Sequence, residues 1–228
     1  MYKTILNKLE LVSKSTFEVK PSVDKTTGDV VMIQAKDIDG SIIKDNAGNP
    51  VLIKKPFKIL IKDAVIIFCN MSGLDEYGSG ARSFQVIVPD ELGIYLMNAG
   101  VAVRYHQEFD EAGNEIAHAY TIKITSKYRN MKGEETTLAP HITIASTTQD
   151  GNHVEATLSE DTVSQMDDIQ IAENIIEFSY HDIEVRKKVR HPLYLRNMWF
   201  VDGGAKPQKA NAAFEEVRQQ WLSNVTGE

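Results

Sequence analysis

Along residues 2 to about 183, apolar and β-branched residues come in short runs separated by turn chemistry, and stretches with helical spacing are few. Over 57–68, Phe57, Ile59 and Ile61 alternate with Lys58, Leu60 and Lys62 before a near-continuous apolar run, which predicts two strands or one long bent strand. Further strands are expected over 83–88, 101–105, 119–126, 141–146, 154–158, 169–185 and 194–201. Turn signals at 25–29 and 45–50 flank the short runs 30–33 and 51–53. Residues 89–100 predict a short helix, with Pro89, Asp90 and Glu91 at its start and Gly100 at its end. Beyond a flexible joint at 202–209, Phe214, Val217, Trp221 and Val225 share one face of a predicted amphipathic helix. That face needs a cover, either its own barrel or another subunit or protein. The pattern predicts a mainly β chain: a closed or nearly closed barrel with extra N-terminal strands and hairpins, one short internal helix and a C-terminal amphipathic helix. Lys54, Lys55 and Pro56 mark a boundary, giving a 1–56 extension, a 57–201 core and a 202–228 joint and helix.

Composition narrows the chemistry. Twenty-five Lys and Arg against 32 Asp and Glu give a net charge of −7, which excludes a uniformly basic packaging protein and leaves room for a local basic channel. The single cysteine, Cys69, excludes an intrachain disulfide framework and a multi-Cys zinc site, and points to a reducing compartment. The first residues lack an export signal and no apolar run reaches the roughly 20 residues that span a bilayer, so a cytoplasmic chain without membrane contact is expected.

No set of catalytic groups emerges. Residues 78–82 are glycine-rich yet lack the Gly-Lys-[Ser/Thr] of a phosphate-binding loop, and Asp37-Ile38-Asp39-Gly40 lacks the later ligands of a calcium loop and reads as a turn. The six histidines show no metal-ligand spacing. Asp167-Asp168 and Glu134-Glu135 could each hold a metal with a third carboxylate, which keeps a metal nuclease as a rival; solvated acidic doublets are the simpler reading. The expectation is a protein without catalytic residues, cofactor or metal.

Charge is segregated along the chain. Residues 120–132 carry Lys123, Lys127, Arg129 and Lys132 with no acid, interleaved with Tyr120 and Tyr128. Alternation places Thr121, Lys123 and Thr125 on one face of a strand and Ile122 and Ile124 on the other. A second basic run holds Arg186, Lys187, Lys188 and Arg190 and leads to Tyr194, Arg196 and Trp199; Lys54, Lys55, Lys58 and Lys62 form a third. By contrast 150–177 holds Asp150, Glu155, Glu160, Asp161, Asp167, Asp168, Glu173 and Glu177 with no Lys or Arg. Cations that follow phosphates, set among flat rings on which unpaired bases stack, suit a single-stranded polynucleotide. Basic strands that merely face solvent would look the same.

Phe68-Cys69-Asn70-Met71-Ser72-Gly73, then 80–88 with Arg82 and Phe84, then Gly100-Val101-Ala102-Val103-Arg104 resemble the single-stranded DNA-binding proteins of tailed bacteriophages. The resemblance continues through 119–124 and 193–201 and covers about 57–201. It implies an oligonucleotide/oligosaccharide-binding (OB) fold, a five-stranded barrel, and sequence-tolerant coating of single-stranded DNA during phage replication, recombination or repair in the host cytoplasm.

On that resemblance Arg82, Arg104, Lys123, Lys127, Arg129, Lys132, Arg186, Lys187, Lys188, Arg190 and Arg196 are assigned to phosphates. Tyr105, Tyr120, Tyr128, Tyr194 and Trp199 are assigned to bases, and Phe84 is either core or platform. Cys69 and Met71 stand where the family commonly has an arginine and an aromatic residue. The family's acidic C-terminal tail is replaced by the amphipathic segment, which leaves replication or recombination proteins and a second copy of the chain, met through Phe214, Val217 and Trp221, as its candidate partners. A phage structural or assembly β-barrel without DNA affinity and an RNA-binding module remain the other readings.

Overall fold

A computed structural model of the chain describes residues 8–74, 80–147 and 153–206. Its elements are α1 (Leu9–Val12), β1 (Thr16–Pro21), β2 (Met32–Gln34), β3 (Leu52–Lys54), β4 (Pro56–Lys62), β5 (Val65–Asn70), β6 (Arg82–Val88), α2 (Asp90–Asn98), β7 (Arg104–Phe109) and β8 (Glu115–Ser126). There follow β9 (His141–Thr147), β10 (His153–Leu158), a 3₁₀ turn (Val163–Asp167), β11 (Ile169–Tyr180), β12 (Ile183–Val185), β13 (Lys188–Arg190) and β14 (Leu193–Ala205). The chain is mainly β, with the internal helix where Pro89 and the two acids predict it. The strand expected over 101–105 starts later, at Arg104, and the one expected over 169–185 ends at Tyr180, where the chain leaves the sheet as the β12–β13 hairpin.

Four connections share one turn chemistry. Asp37, Asp45, Asp110 and Asn130 each accept, at the main-chain oxygen, the N–H of a glycine three residues on, and Gly40, Gly48, Gly113 and Gly133 all sit at φ between 82° and 85°. A side chain there would be strained, so the glycines close these turns. The Asp37–Gly40 segment is one of them, a turn as expected.

Ten strands form one mixed sheet along the path β1-β4-β11-β14-β8-β6-β5, with β7 on β8, and β9, carrying β10, on β14. β14 runs parallel to β8 at Leu193 and Tyr194 and parallel to β9 from Asn197 to Val201. The hydrogen-bonded ladder is not closed into the expected five-stranded barrel: β4 and β5, at or next to the path's two ends, do not pair with each other. They are successive pieces of one chain, bent at Asp63, whose φ is 51°. The sheet therefore curls round on itself through a covalent bend.

Asn174 holds that bend. Its side chain is 2% exposed, and its amide accepts from the Ala64 N–H at 3.0 Å and donates to the Ala64 oxygen at 3.0 Å, as a neighbouring strand would. Beyond it β5 and the start of β11 diverge around a groove of about 1110 Å³ lined by Val65, Ile66, Phe68, Ile169 and Ile171 among others. At the far end the Asp167 carboxylate accepts the N–H groups of Met71 at 2.6 Å and Ser72 at 2.9 Å.

The inward side chains of the curled sheet make one core: Ile59 and Ile61 of β4, Phe84 and Val86 of β6, Ile122 and Ile124 of β8, Ile176 and Phe178 of β11, and Leu195 and Phe200 of β14, closed at one end by Leu92 and Leu96 of α2. A small second cluster, Val12, Val65, Ile87 and Ala119, lies where α1 covers the outer side of β5, β6 and β8. The N-terminal segment adds β1 to the edge of β4 and is tied to the end of α2 by the Lys36 N–H, which donates to the Asn98 oxygen at 2.9 Å. The predicted C-terminal helix, with Phe214, Val217 and Trp221, lies outside the described residues. Among the described residues no helix is long and apolar enough to cross a membrane.

Candidate nucleic-acid interface

The strand registers carry one line of outward side chains across the sheet: Ser83, Thr125, Tyr194, Ser179, Lys58 and Lys20, on β6, β8, β14, β11, β4 and β1 in turn. Beside it Phe68, Gln85 and Lys123 are register partners on β5, β6 and β8. The period of two therefore sorts β8 as the sequence predicts, with Ile122 and Ile124 in the core and Lys123 exposed outside.

Cations gather around Tyr194 on this face. The Lys127 ammonium stands 5.5 Å from the centre of its ring, and the His181 ring meets it edge-on at 5.2 Å. Ser179 Oγ lies 2.8 Å from His181 Nε2. Arg196 donates to the Thr137 oxygen at 3.0 Å. Burial first, then the charges of Arg196 and Lys127, hold His181 below its ordinary pKa, with Asp182 opposing. Among the described residues Lys123, Lys127 and Arg196 have no carboxylate within salt-bridge distance. Lys58, at the side of the patch, is paired with Glu177 at 3.2 Å.

At the end of α2 the β12–β13 hairpin projects from the sheet with Arg186, Lys187, Lys188 and Arg190 exposed. Its two turn residues, Arg186 and Lys187, have φ of 51° and 63°, a left-handed backbone that side chains larger than glycine adopt at a cost of about 1 kcal/mol each or more. Its foot is fixed: His191 Nδ1 lies 2.7 Å from the Tyr180 hydroxyl and 2.8 Å from Asp182 Oδ1, and Asp182 is ion-paired with Lys55.

Other predicted site residues fall elsewhere. Phe84 is 1% exposed and packs in the core, so of its two readings the structure takes the buried one; it offers no face to a base. Tyr194 is on the outward side yet only 9% exposed, because Lys127 and His181 cover it. Tyr105 and Tyr120 pack on each other, ring centres 4.8 Å apart, with His118 completing the group beside α2. Carboxylates surround them: Tyr105 donates to Glu115 at 3.1 Å, and His118 lies 2.8 Å from both Glu115 and Asp90. The Asp90 carboxylate raises the His118 pKa most, burial opposes it, and Glu115 adds to the rise. This aromatic group sits in an acidic setting, with Arg104 next to it on β7. Trp199 is half-buried on the outward side, its indole N–H donating to Glu155 at 2.8 Å.

Arg82, Tyr128 and Arg129 form a separate set at the end of β8. The Arg82 guanidinium stands 5.3 Å from the centre of the Tyr128 ring, and Arg129 Nε donates to Glu160 at 2.7 Å. Lys132 is exposed at the tip of the Asn130–Gly133 turn, and Arg104 is exposed at the start of β7. The acidic doublet Asp167-Asp168 is structural at its first member, whose carboxylate caps Met71 and Ser72. Among the described residues no three His, Cys, Asp or Glu side chains are grouped to hold a metal ion. Cys69 is half-buried, and desolvation first, then the neighbouring Asp167 charge, push its thiol far up, away from thiolate chemistry. The sequence reading missed Ser179 and His181, Asn174 and Glu160, whose importance comes from neighbours distant in the chain; the alternation of Ser179 with the core residue Phe178 was the one local signal.

The fold and this face define a β-sheet protein that presents, on the outside of a curled sheet, clustered cations with no carboxylate partner among the described residues. The sequence matches the family model described as "Putative phage ssDNA-binding domain" over residues 51–219, and the chain belongs to that family. Among solved structures, it is similar to the single-stranded DNA-binding protein from bacteriophage Enc34, at 10% identity and a TM-score of 0.36, over 80% of this chain and 97% of that one. It is also similar to gp2.5, a single-stranded DNA-binding protein encoded by bacteriophage T7, at 10% identity and a TM-score of 0.27, over 68% of this chain and 89% of that one. No curated protein matches the sequence.

Proposed function

We propose that the chain is a sequence-tolerant single-stranded DNA-binding protein that coats the strand without turning it over, in phage replication, recombination or repair. The observation that carries this reading is the set of cations without carboxylate partners, Lys123, Lys127 and Arg196 around Tyr194, lying within the span that the family model matches.

The sheet order supports the finer fold reading. Taking β4 and β5 as one bent strand, the succession β6, β8, β14, β11 and back to β4 follows the 1-2-3-5-4-1 path of an OB barrel, with Asn174 standing in for ladder bonds at the bend. OB folds bind oligonucleotides on the face of their second and third strands and through the loops after the first and fourth. Here those strands are β6 and β8, which carry Gln85 and Lys123, and the loop after the fourth is the β12–β13 hairpin with its four exposed cations. In this reading residues 57–201 are the DNA-binding core and 1–56 an extension that adds β1 to the edge of β4; the expected joint gives way at its start to β14, which stays paired with β11 as far as Ala205, and the chain beyond is left for partners. Phosphates run along Lys123, Lys127, Arg196 and the hairpin, with Arg104 at the side, and a base reaches Tyr194 by displacing Lys127 from its ring.

Titrating intrinsic fluorescence with poly-dT and with duplex DNA at two salt concentrations tests the proposal. Binding of the single strand that weakens as salt rises is the expected result, because phosphate contacts release counterions. No response to poly-dT at low salt refutes it and favours an assembly protein.

A further inference from the structure

Arg82 is the first residue of β6, Arg129 lies just past β8, and Glu160 lies in the turn after β10, so three distant pieces of chain meet at one carboxylate. Glu160 Oε2 accepts from Arg129 Nε at 2.7 Å while Oε1 lies 4.0 Å from Arg82 Nη1. Arg82 Nη1 also donates to the Glu160 main-chain oxygen at 2.8 Å, and Arg129 Nη1 to the Gly133 oxygen at 2.8 Å. The two guanidinium groups thus converge on a pair of oxygens, the arrangement with which arginines also grip a phosphodiester. Beside them opens a pocket of about 290 Å³ with Arg129 and Glu160 on its rim and Ala139, Pro140 and Leu158 among its lining. The Tyr128 hydroxyl, also at this pocket, is buried without a hydrogen-bond partner.

We propose that Glu160 stands in for a phosphate: Arg82 and Arg129 form a phosphodiester subsite that the protein's own carboxylate fills until single-stranded DNA displaces it. This rests on the reading of the chain as a single-strand binder and adds to it a subsite with an internal competitor. The exchange is physically easy. The Arg129 and Glu160 side chains are 58% and 31% exposed, and ion pairs of that kind contribute little net stability. The incoming phosphate takes the place of the carboxylate between Arg129 and Arg82, the freed carboxylate returns to water, and the sugar attached to that phosphate rests against Ala139, Pro140 and Leu158, with Glu135 and Ser159 also lining the pocket. The acidic tract of 150–177 thereby has a definite role at Glu160, which tunes how much DNA gains from two of the chain's cations.

The test compares Glu160→Gln with Asp161→Asn, each removing one negative charge from the same turn, by the Kd for a labelled dT oligomer at low salt. Asp161 acts on Arg129 only through space. E160Q is expected to bind about threefold more tightly, D161N appreciably less so, and the E160Q gain is expected to vanish in an R82Q/R129Q background. Equal effects of E160Q and D161N, or a gain that persists without the two arginines, overturn the proposal. If E160Q lowers the thermal midpoint so far that it does not fold, the wild-type Arg129 Nε–H resonance is followed as dT oligomer is added. A shift that saturates with binding supports displacement, and an unmoved resonance refutes it. A wild-type protein that ignores dT altogether sinks the functional reading itself, an outcome distinct from wild-type binding that E160Q leaves unchanged.

Discussion

Two cation–tyrosine pairs flank the end of β8, and they differ in one neighbour. On the outward side Lys127 covers Tyr194 at 5.5 Å and no described carboxylate engages the lysine. Around the end of the same strand Arg82 covers Tyr128 at 5.3 Å, and Glu160 holds both Arg82 and the adjacent Arg129. Residue types and spacing are nearly the same, so a census of basic and aromatic residues ranks the two alike. What separates them is an acid supplied by a remote turn. A cation is available to a polyanion in proportion to what it must give up, and the first set gives up no carboxylate, only the Tyr194 ring at Lys127 and the Thr137 oxygen at Arg196.

Removing the free set tests that contrast most severely. The triple change Lys123→Ala, Lys127→Ala and Arg196→Ala is expected to weaken poly-dT binding on the order of 10²-fold at low salt. It should also flatten the plot of log K against log salt by about 2, from three contacts at roughly 0.7 each. An unchanged slope means that the DNA runs elsewhere.

A matched pair of ring-removing changes comes next. Tyr194→Leu is expected to cost about 1 kcal/mol of DNA affinity, the lower end of a stacking contact, whereas Tyr128→Leu leaves the Kd within about twofold; equal losses erase the distinction between the two pairs.

Smaller still is the double change R82Q/R129Q. Because DNA must displace Glu160 to use these arginines, their loss is expected to weaken binding by no more than about threefold, measured in the same titration. A loss as large as that of the free cations places the main path of the strand on the Glu160 side of this end of β8.

The two histidines give the weakest effects, of opposite sign. His181 has a folded pKa below its ordinary value, so the unfolded chain binds its proton first, and stability falls as pH drops through about 6.5 toward that lower value. His118 has a raised folded pKa. Its stabilisation is complete below about 6.5 and is lost as pH rises through the higher folded value. Thermal midpoints from about pH 5 to about pH 8 are expected to lose their acid-side fall in H181Q and their alkaline-side fall in H118Q. Protonating His181 also adds a charge beside Lys127 and Arg196, so DNA binding is expected to tighten at acid pH in the wild type and not in H181Q.

Much of this was legible in the sequence where the governing interactions are local. The two-residue alternation of β8 put Ile122 and Ile124 inside and Lys123 outside because side chains of a strand must point to opposite faces. Proline, two acids and a glycine delimited α2, and four Asp- or Asn-led turns ended on glycines with positive φ because backbone geometry allows little else there. The family likeness rode on such short segments, with Arg82 and Arg104 among them. Phe84 sits in one of the same segments, and only its neighbours made it core.

Tertiary structure decided the rest, since it depends on which strands become neighbours. Tyr105 and Tyr120 look like base platforms in one dimension and prove to be packed among Glu115, His118 and Asp90 once β7 pairs with β8 under α2. Asn174 gains its role from Ala64, 110 positions away, and Glu160 from Arg82, 78 positions away. The sequence by itself determined the strands, the turns and the supply of cations, because those follow from the stereochemistry of adjacent residues. Which cations remain free, which rings are covered and how the sheet curls back through Asp63 were left to folding, because hydrogen-bond register and charge pairing join residues that no local pattern connects.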